Sequence, residues 1–437
     1  MKRTSGMRGR RRGWLAGLAA VAVTLVLAAC GGGSGGSAST NLTWFFWVGS
    51  PGEASVWQHN ASQVSKTYPD ISVNLTTTSF SDFWDKLPLE ASSNSMPCLA
   101  GLQYGYVGSV GSDFMPLNSL ITKNHYSLSP FSNAMIKELS ENGNLLALPY
   151  DYGPVVFVYN KALFKAKGVP DPTDGWTWSQ FLQDAKKLTG GGDYAYGGTY
   201  GAGTGMGVAL ELAYDLSGTP DAYVKNGTFN LTNPAFEKGI QEQAELTYKD
   251  HYTPPSSSAS NYSTQEFDSG KVAMEAAGPW DLIDVKESAS FPVGWVEFPA
   301  GPDGTHTYNE GSGFGITKDC KTPEAAFRAL TVLVNSQALS YAGSTGRAFP
   351  ARPAADQTWT KFAGGNAGAV MAAALKGTPP QEVTTNWTAF STALGKYAPL
   401  VLSGQLSAAK FATDVQASSG SGRGVSPGNL ASLLSNG

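Results

Sequence analysis

Glu53, Asp151, Asp281 and Glu310 could on paper supply the pair of carboxyl groups, about 5–10 Å apart, that hydrolyses a glycosidic bond. Around them the chain is rich in flat side chains: it is 11% aromatic with 11 Trp, more than core building calls for. Trp280 raises the question most directly. In "FDSGKVAMEAAGPWDL" a short apolar run stops at Gly278-Pro279, and Trp280 follows at once. Pro pre-sets φ and Gly lets backbone come close. The ring that follows is either a core aromatic or a flat apolar surface placed for a ligand. Other chemistries find little support. His59, His125, His251 and His306 are isolated, with no metal-ligand spacing. A G-x-S-x-G match at Gly32–Gly36 lies in a Gly/Ser stretch, where no strand–turn–helix can form an elbow. The glycines of "YGAGTGMG" (200–207) miss the dinucleotide spacing. No cofactor is implied.

The elements that must carry these residues alternate. "LTWFFWV" reads as a strand covered on both faces. A helix follows from Gly52 to Lys66, then the strand "ISVNLTT", the helix "SDFWDKLPLEASS" weakened by Pro88, and the strand "CLAGLQYGYV". This order predicts a mostly parallel sheet flanked by helices. Thr177 opens a capping box with Gln180. Asn233-Pro234 and Thr322-Pro323 each place an N-cap before Pro. After Thr322, the helical spacing of Phe327, Leu330 and Val334 marks a core face. "PPSSSASN" (254–261) reads as a loop and "ASSGSGRGVSPGN" as a loose tail.

Five segments in order resemble one family. "YDYGPVVFVYNKALFKAKGVPDPTDGWTWSQFLQDAKKLT", "FDSGKVAMEAAGPWDL", "YNEGSGFGITKDCKTPEAAFRAL", "GRAFPAR" and "NWTAF" are similar to the extracytoplasmic solute-binding proteins of sugar importers, the maltose-binding-protein-like group. One departure is Pro97-Cys98, where the family usually has Pro-Asp. The resemblance implies an α/β fold of the type II periplasmic-binding-protein kind: two lobes, a ligand cleft and a three-segment hinge. Crossings are expected near Pro149–Gly153, Phe298–Ala300 and Thr317–Lys321. That assigns 41–150 plus 299–318 to the N-terminal lobe and 151–298 plus 319–437 to the C-terminal lobe. In such sheets ligands sit outside the carboxyl ends of the strands, and the lobes close around them. Trp280 would then cover the C–H face of a pyranose ring, with Trp387 as a second stacking aromatic. Glu53 and Trp47 would flank the first strand–helix loop, Gln103 and Tyr104 would end the third strand, and Tyr150 and Asp151 would stand at the first crossing. A carboxylate such as Asp151 accepts two hydroxyl bonds at once; its other role is a hinge ion pair. Asp281 either accepts hydroxyl hydrogens or caps its helix. Glu310 and Arg347 complete the set, each either a ligand contact or a solvated surface charge, and "YGAGTGMG" falls where the family places contacts from the second lobe.

The N-terminus addresses location. Six basic residues and no acid precede an uncharged run from Trp14 to Ala29, an export signal by pattern. It ends in Leu27-Ala28-Ala29-Cys30 and is similar to a bacterial lipoprotein signal, which makes 1–29 the signal and Cys30 the lipidated residue. "RRGWL" also resembles a twin-arginine signal. A Gly/Ser tether covers 30–40. Net charge is −4 with 15% charged residues, so no basic stripe exists for nucleic acid. Cys98 and Cys320 either pair in an oxidising compartment or stay free. The expectation is a monomeric receptor, lipid-anchored outside the cytoplasmic membrane. It would bind a sugar or oligosaccharide, pass it to the permease of an ABC-type importer, and catalyse nothing. A secreted glycosidase and a surface glycan-capture protein without a transporter are the alternatives.

Overall fold

The computed structural model describes residues 39–197, 224–254, 265–301, 304–305, 307, 309–377 and 384–434. The signal segment, Cys30 and the 200–207 stretch lie outside the described residues. Strands of three or more residues are β1 (Thr40–Trp47), β2 (Ile71–Thr78), β3 (Leu99–Gln103), β4 (Ala147–Pro154), β5 (Val156–Asn160), β6 (Tyr194–Tyr196), β7 (Val272–Ala277), β8 (Val293–Val296) and β9 (Asn309–Ile316). Helices of at least seven residues are α1 (Pro51–Thr67), α2 (Phe80–Ser92), α3 (Trp178–Leu188), α4 (Pro234–Tyr248), α5 (Leu282–Ser288), α6 (Pro323–Leu333), α7 (Ser336–Ser344), α8 (Asp356–Ala363), α9 (Ala367–Gly377), α10 (Trp387–Leu402) and α11 (Ala408–Ser419).

Two sheets result. The first has the order β2-β1-β3-β9-β4, and the second β8-β5-β7-β6. β1 runs parallel to β2 and β3, whereas β9 runs antiparallel between β3 and β4. The second sheet is also mixed, because β5 opposes both β7 and β8. The expectation of mostly parallel sheets therefore holds for the β1–β3 unit and fails where a strand enters from the other sheet. The chain passes at Val155 from β4 straight into β5, and β9 returns it.

Local signals explain the helices. Ser50 Oγ accepts from Glu53 N at 3.2 Å and starts α1. The Thr177 capping box forms in full, and Asn233 Oδ1 accepts from Ala235 N and Phe236 N, each at 3.0 Å. Thr322 stands at the N-cap of α6 but makes no side-chain cap bond there.

Two expectations are corrected. Residues from 319 onward were assigned to the C-terminal lobe, with a crossing at Thr317–Lys321. Instead Ala326, Phe327, Leu330, Leu333 and Leu339 join the core of the first sheet, as do Ala348 and Ala351. The apolar face of α6 packs there, on α1. From Phe349 the chain begins to join the second sheet, where Phe349, Trp359, Val370 and Met371 pack with Val156, Val158 and Trp295. The third passage between the cores thus lies at about 348–355, not 317–321.

The tail is the second correction. Asn142 N and Gly143 N donate to Ser426 O and Pro427 O at 2.8 and 2.7 Å, and Leu430 and Leu433 are buried in the first core. A strap built largely from Gly and Ser thus leads from α11 back to the first sheet.

Cys98 and Cys320 are joined as a disulfide across 222 residues of sequence, a loop that contains the whole second sheet. This accounts for Pro97-Cys98 in place of Pro-Asp. Thr317 N donates to Cys98 O at 3.1 Å and Thr317 Oγ1 to Pro97 O at 2.6 Å, so the two segments are already held side by side. Reduction should therefore cost about 2 kcal/mol, the low end for a structural disulfide. Thermal melting with and without reductant checks this, and an unchanged Tm would contradict it.

Candidate ligand site

The carboxyl ends of β1 and β3 and the amino end of the antiparallel β9 share one edge of the first sheet. Glu53 comes from the first turn of α1, after β1; Gln103 ends β3; Asp151 lies in β4; Glu310 opens β9. Gln103 Nε2 donates to Glu310 Oε2 at 3.2 Å. Opposite stands the carboxyl end of β7, where Gly278-Pro279 turns the chain. Gly153 of β4 lies under the Pro279 ring so closely that a Cβ at 153 would overlap Cγ. Asp151 and Trp280 flank this contact, two residues before it and one after.

Trp280 can now be placed. Residues 272–279 are all buried, and Trp280 is the first partly exposed position. Its ring folds back over Gly278, where any Cβ would overlap it, and packs against the second core. Gly278 N donates to Asp281 Oδ2 at 2.8 Å, and Trp359 Nε1 donates to Pro279 O at 2.9 Å. The turn is therefore rigid. Asp281 stands at the N-cap of α5 but makes no side-chain cap bond there; its carboxylate closes the Gly278 turn instead.

Arg347 sits at the centre of a buried charge cluster and is 2% exposed. Its Nε donates to Glu53 Oε1, Nη1 to Asp151 Oδ2 and Nη2 to Tyr150 Oη, each at 3.5 Å. The guanidinium also lies over the ring of Trp57, 5.2 Å from its centroid. Gly49 N donates to Glu53 Oε2 at 2.6 Å. Burial raises the Glu53 carboxyl above its ordinary range, opposed by Arg347 and Gly49 N. Burial pushes Asp151 up to about 7, again opposed by Arg347. Burial disfavours the charge on Arg347, but Glu53, Tyr150 and Asp151 together outweigh it and hold the guanidinium firmly protonated. Asp151 Oδ1 is buried and has no hydrogen-bond partner among the described residues.

Several expected contacts give way to structural roles. Trp47 is packed among Phe46, Phe80, Phe83 and Trp84, so it is core. Tyr150 stacks on Phe314 at 4.4 Å and is 1% exposed. Tyr104 is buried too. Both oxygens of Glu53 are engaged inside the protein. Trp387 is partly exposed but lies over Gly105, where a Cβ would come within 3.0 Å of its Nε1. Nor do the abundant aromatics signal a lined cleft. Trp44, Trp47, Trp57, Trp84, Trp176, Trp295 and Trp359 are all buried, which leaves Trp178, Trp280 and Trp387 partly exposed among the described residues.

Sequence reasoning missed Asp284 and Glu287. With Asp281 they recur every three residues along the turn and α5, one face of a helix, and that spacing was a readable signal. Asp284 faces Gly49 and raises Glu53. Glu287 Oε2 would be 2.9 Å from a Cβ on Gly52, against the first turn of α1.

The model of the bacterial extracellular solute-binding protein family matches residues 49–340, more than half of the chain. The chain belongs to that family. Within it, the chain is 30% identical over 203 residues to a binding protein of Brucella abortus, covering 44% of this chain and 47% of that one. It is 28% identical over 171 residues to the sn-glycerol-3-phosphate-binding periplasmic protein UgpB of Escherichia coli K12, covering 38% of each. The chain thus spans about half, or less, of the length of these curated relatives. Among solved structures, an ABC substrate-binding protein from Listeria monocytogenes in complex with cycloalternan superposes with a TM-score of 0.79 at 20% identity, over 87% of this chain and 97% of that one. Maltose-bound MalE3 of T. maritima gives 0.76 at 18%, over 86% and 98%. The fold of this family member is accordingly the type II periplasmic-binding-protein fold.

The buried acids carry a pH dependence. Burial raises Glu138 to about 8, with its Oε2 unpartnered among the described residues, and raises Asp151 and Asp356 to about 7. Unfolded carboxyls titrate near 4, so between pH ~4 and ~8 the folded state binds more protons. Stability is then fullest below pH ~4 as far as these groups decide it, and is lost as pH rises through 7 to 8. Tm should be higher at pH 5.5 than at pH 8.5, and Glu138→Gln should flatten the slope. A Tm that rises over this interval would contradict the assignment.

Proposed function

We propose that this chain is a lipid-anchored extracytoplasmic receptor that binds a sugar or oligosaccharide and delivers it to an ABC-type importer without catalysing a reaction. The observation that carries the reading is the meeting of the two strand edges at Gly153 and Pro279. Trp280, partly exposed, follows Pro279 directly, and Asp151, with an unpartnered oxygen, lies two residues before Gly153, which supports their acting on one ligand. An aromatic face covers sugar C–H groups while a carboxylate takes hydroxyl hydrogens. The bound sugars of the Listeria and T. maritima proteins support the ligand class. The Cys30 motif supports the anchor, and closure of two lobes on a ligand gives a permease a distinct state to recognise.

Calorimetric titration of the protein against mono- and oligosaccharides, with the sugar recovered afterwards, tests the reading. Saturable one-to-one heat with intact sugar is expected, and Trp280→Ala should weaken binding about 30-fold, or ~2 kcal/mol. Heat at constant rate with cleaved sugar would make the protein a glycosidase instead. Unchanged affinity in the variant would remove Trp280 from the site.

A further inference from the structure

A phosphate ester needs charge-assisted donors: a free guanidinium, a free ammonium, or the open N–H groups of a helix start or a strand-end turn. At this site Arg347, the turn before α1 and the turn after β7 each already hold one of the chain's own carboxylates. Arg347 is the cation of the buried cluster, and its three donor nitrogens go to Glu53, Asp151 and Tyr150. The start of α1 is closed by Ser50 and Glu53, with Glu53 Oε2 on Gly49 N. Glu287 stands against Gly52 in its first turn, and Asp284 faces Gly49. At the end of β7, Gly278 N is taken by Asp281 Oδ2. The residues that converge on the site therefore include Glu53, Asp151, Asp281, Asp284, Glu287 and Glu310 against Arg347.

From this we infer that the site selects uncharged polyhydroxy ligands and rejects their phosphate esters, so that the ligand is a neutral carbohydrate and not a glycerol or sugar phosphate. The inference rests on the receptor reading above and narrows it. It also separates this chain from UgpB, the relative whose name records a glycerol phosphate. Two causes act together. The phosphate dianion meets the field of these acids, and the donors of Arg347, Gly49 N and Gly278 N are already paired. A neutral hydroxyl needs only an acceptor such as Asp151 Oδ1, so the same carboxylates favour it.

Titration of the full protein with maltose, maltotriose, glycerol, glycerol 3-phosphate and glucose 6-phosphate tests the inference, followed by the same series on Glu287→Gln. A neutral sugar should bind, with phosphate esters at least 100-fold weaker. Glu287→Gln should narrow that gap several-fold by uncovering the first turn of α1. Tight binding of glycerol 3-phosphate or glucose 6-phosphate would overturn the inference and leave a receptor of another specificity. An unchanged gap in the variant would overturn the electrostatic cause. Silence from neutral and phosphorylated compounds alike would instead remove the receptor reading, and the inference with it.

Discussion

Arg347→Ala is expected to cost about 3–5 kcal/mol of folding stability at pH 8, the range for removing one partner of a buried ion pair. The reason is what stays behind. Glu53 and Asp151 are 5% and 4% exposed, and Arg347 is the group that opposes burial for both. Without it two carboxylates share a desolvated space, and each raises the other. The variant should relieve this by taking up protons, so its deficit should shrink markedly at pH 5, where the acids can be neutral in the folded state. Urea denaturation at the two pH values measures this directly. Arg347→Lys should recover only part of the loss, because one ammonium cannot reproduce three separately aimed donors. The paired change Glu53→Gln with Arg347→Met should cost less than Arg347→Ala alone, since only Asp151, and no longer two carboxylates, is left without its counter-charge. A loss below about 1 kcal/mol with no pH dependence would mean that the cluster is open to solvent.

What the sequence disclosed and what it concealed divide along physical lines. Local signals were readable: the Thr177 and Asn233 caps, the apolar β1, and the face of α6 all depend on neighbours within a few residues. Which core α6 would fill was not readable, because an amphipathic stripe says that a face is buried and not against what. The same holds for pairs that depend on the crossings. Arg347 and Glu53 are 294 residues apart, and Cys98 and Cys320 are 222 apart. Sequence offered the Cys pairing as one of two outcomes, and it marked Arg347 and Glu53 as ligand contacts without pairing them. Residues 420–434 show the opposite error. Gly and Ser composition signals little side-chain burial, yet here the backbone of Ser426 and Pro427 supplies the hydrogen bonds and two Leu supply the anchor. Trp280 was recognisable because a Gly-Pro turn isolates it from its strand. Trp47 has no such punctuation, and its ring simply continues the buried run of β1.

Gly153→Val should abolish most ligand response while leaving the fold intact. A β-branched residue suits β4 by propensity, and Gly153 pairs with Glu310 near the end of this edge strand, so secondary structure should survive. The conflict lies across the gap. Any Cβ at 153 would overlap the Pro279 ring. That ring cannot swing away, because Pro279 O is held by Trp359 and Gly278 N by Asp281. The remaining escape is to separate the two strand edges, which is the opening motion of a hinged binding protein. Overpacking of this kind costs about 1–3 kcal/mol, and the cost falls on the closed state alone. Ligand affinity should therefore drop by up to ~100-fold, with Tm in the absence of ligand little changed and small-angle scattering reporting a more open particle even at saturating sugar. Gly153→Ala should show the same effect in smaller measure. If Gly153→Val binds normally, the Gly153–Pro279 contact is no part of closure, and Trp280 and Asp151 do not act on one ligand.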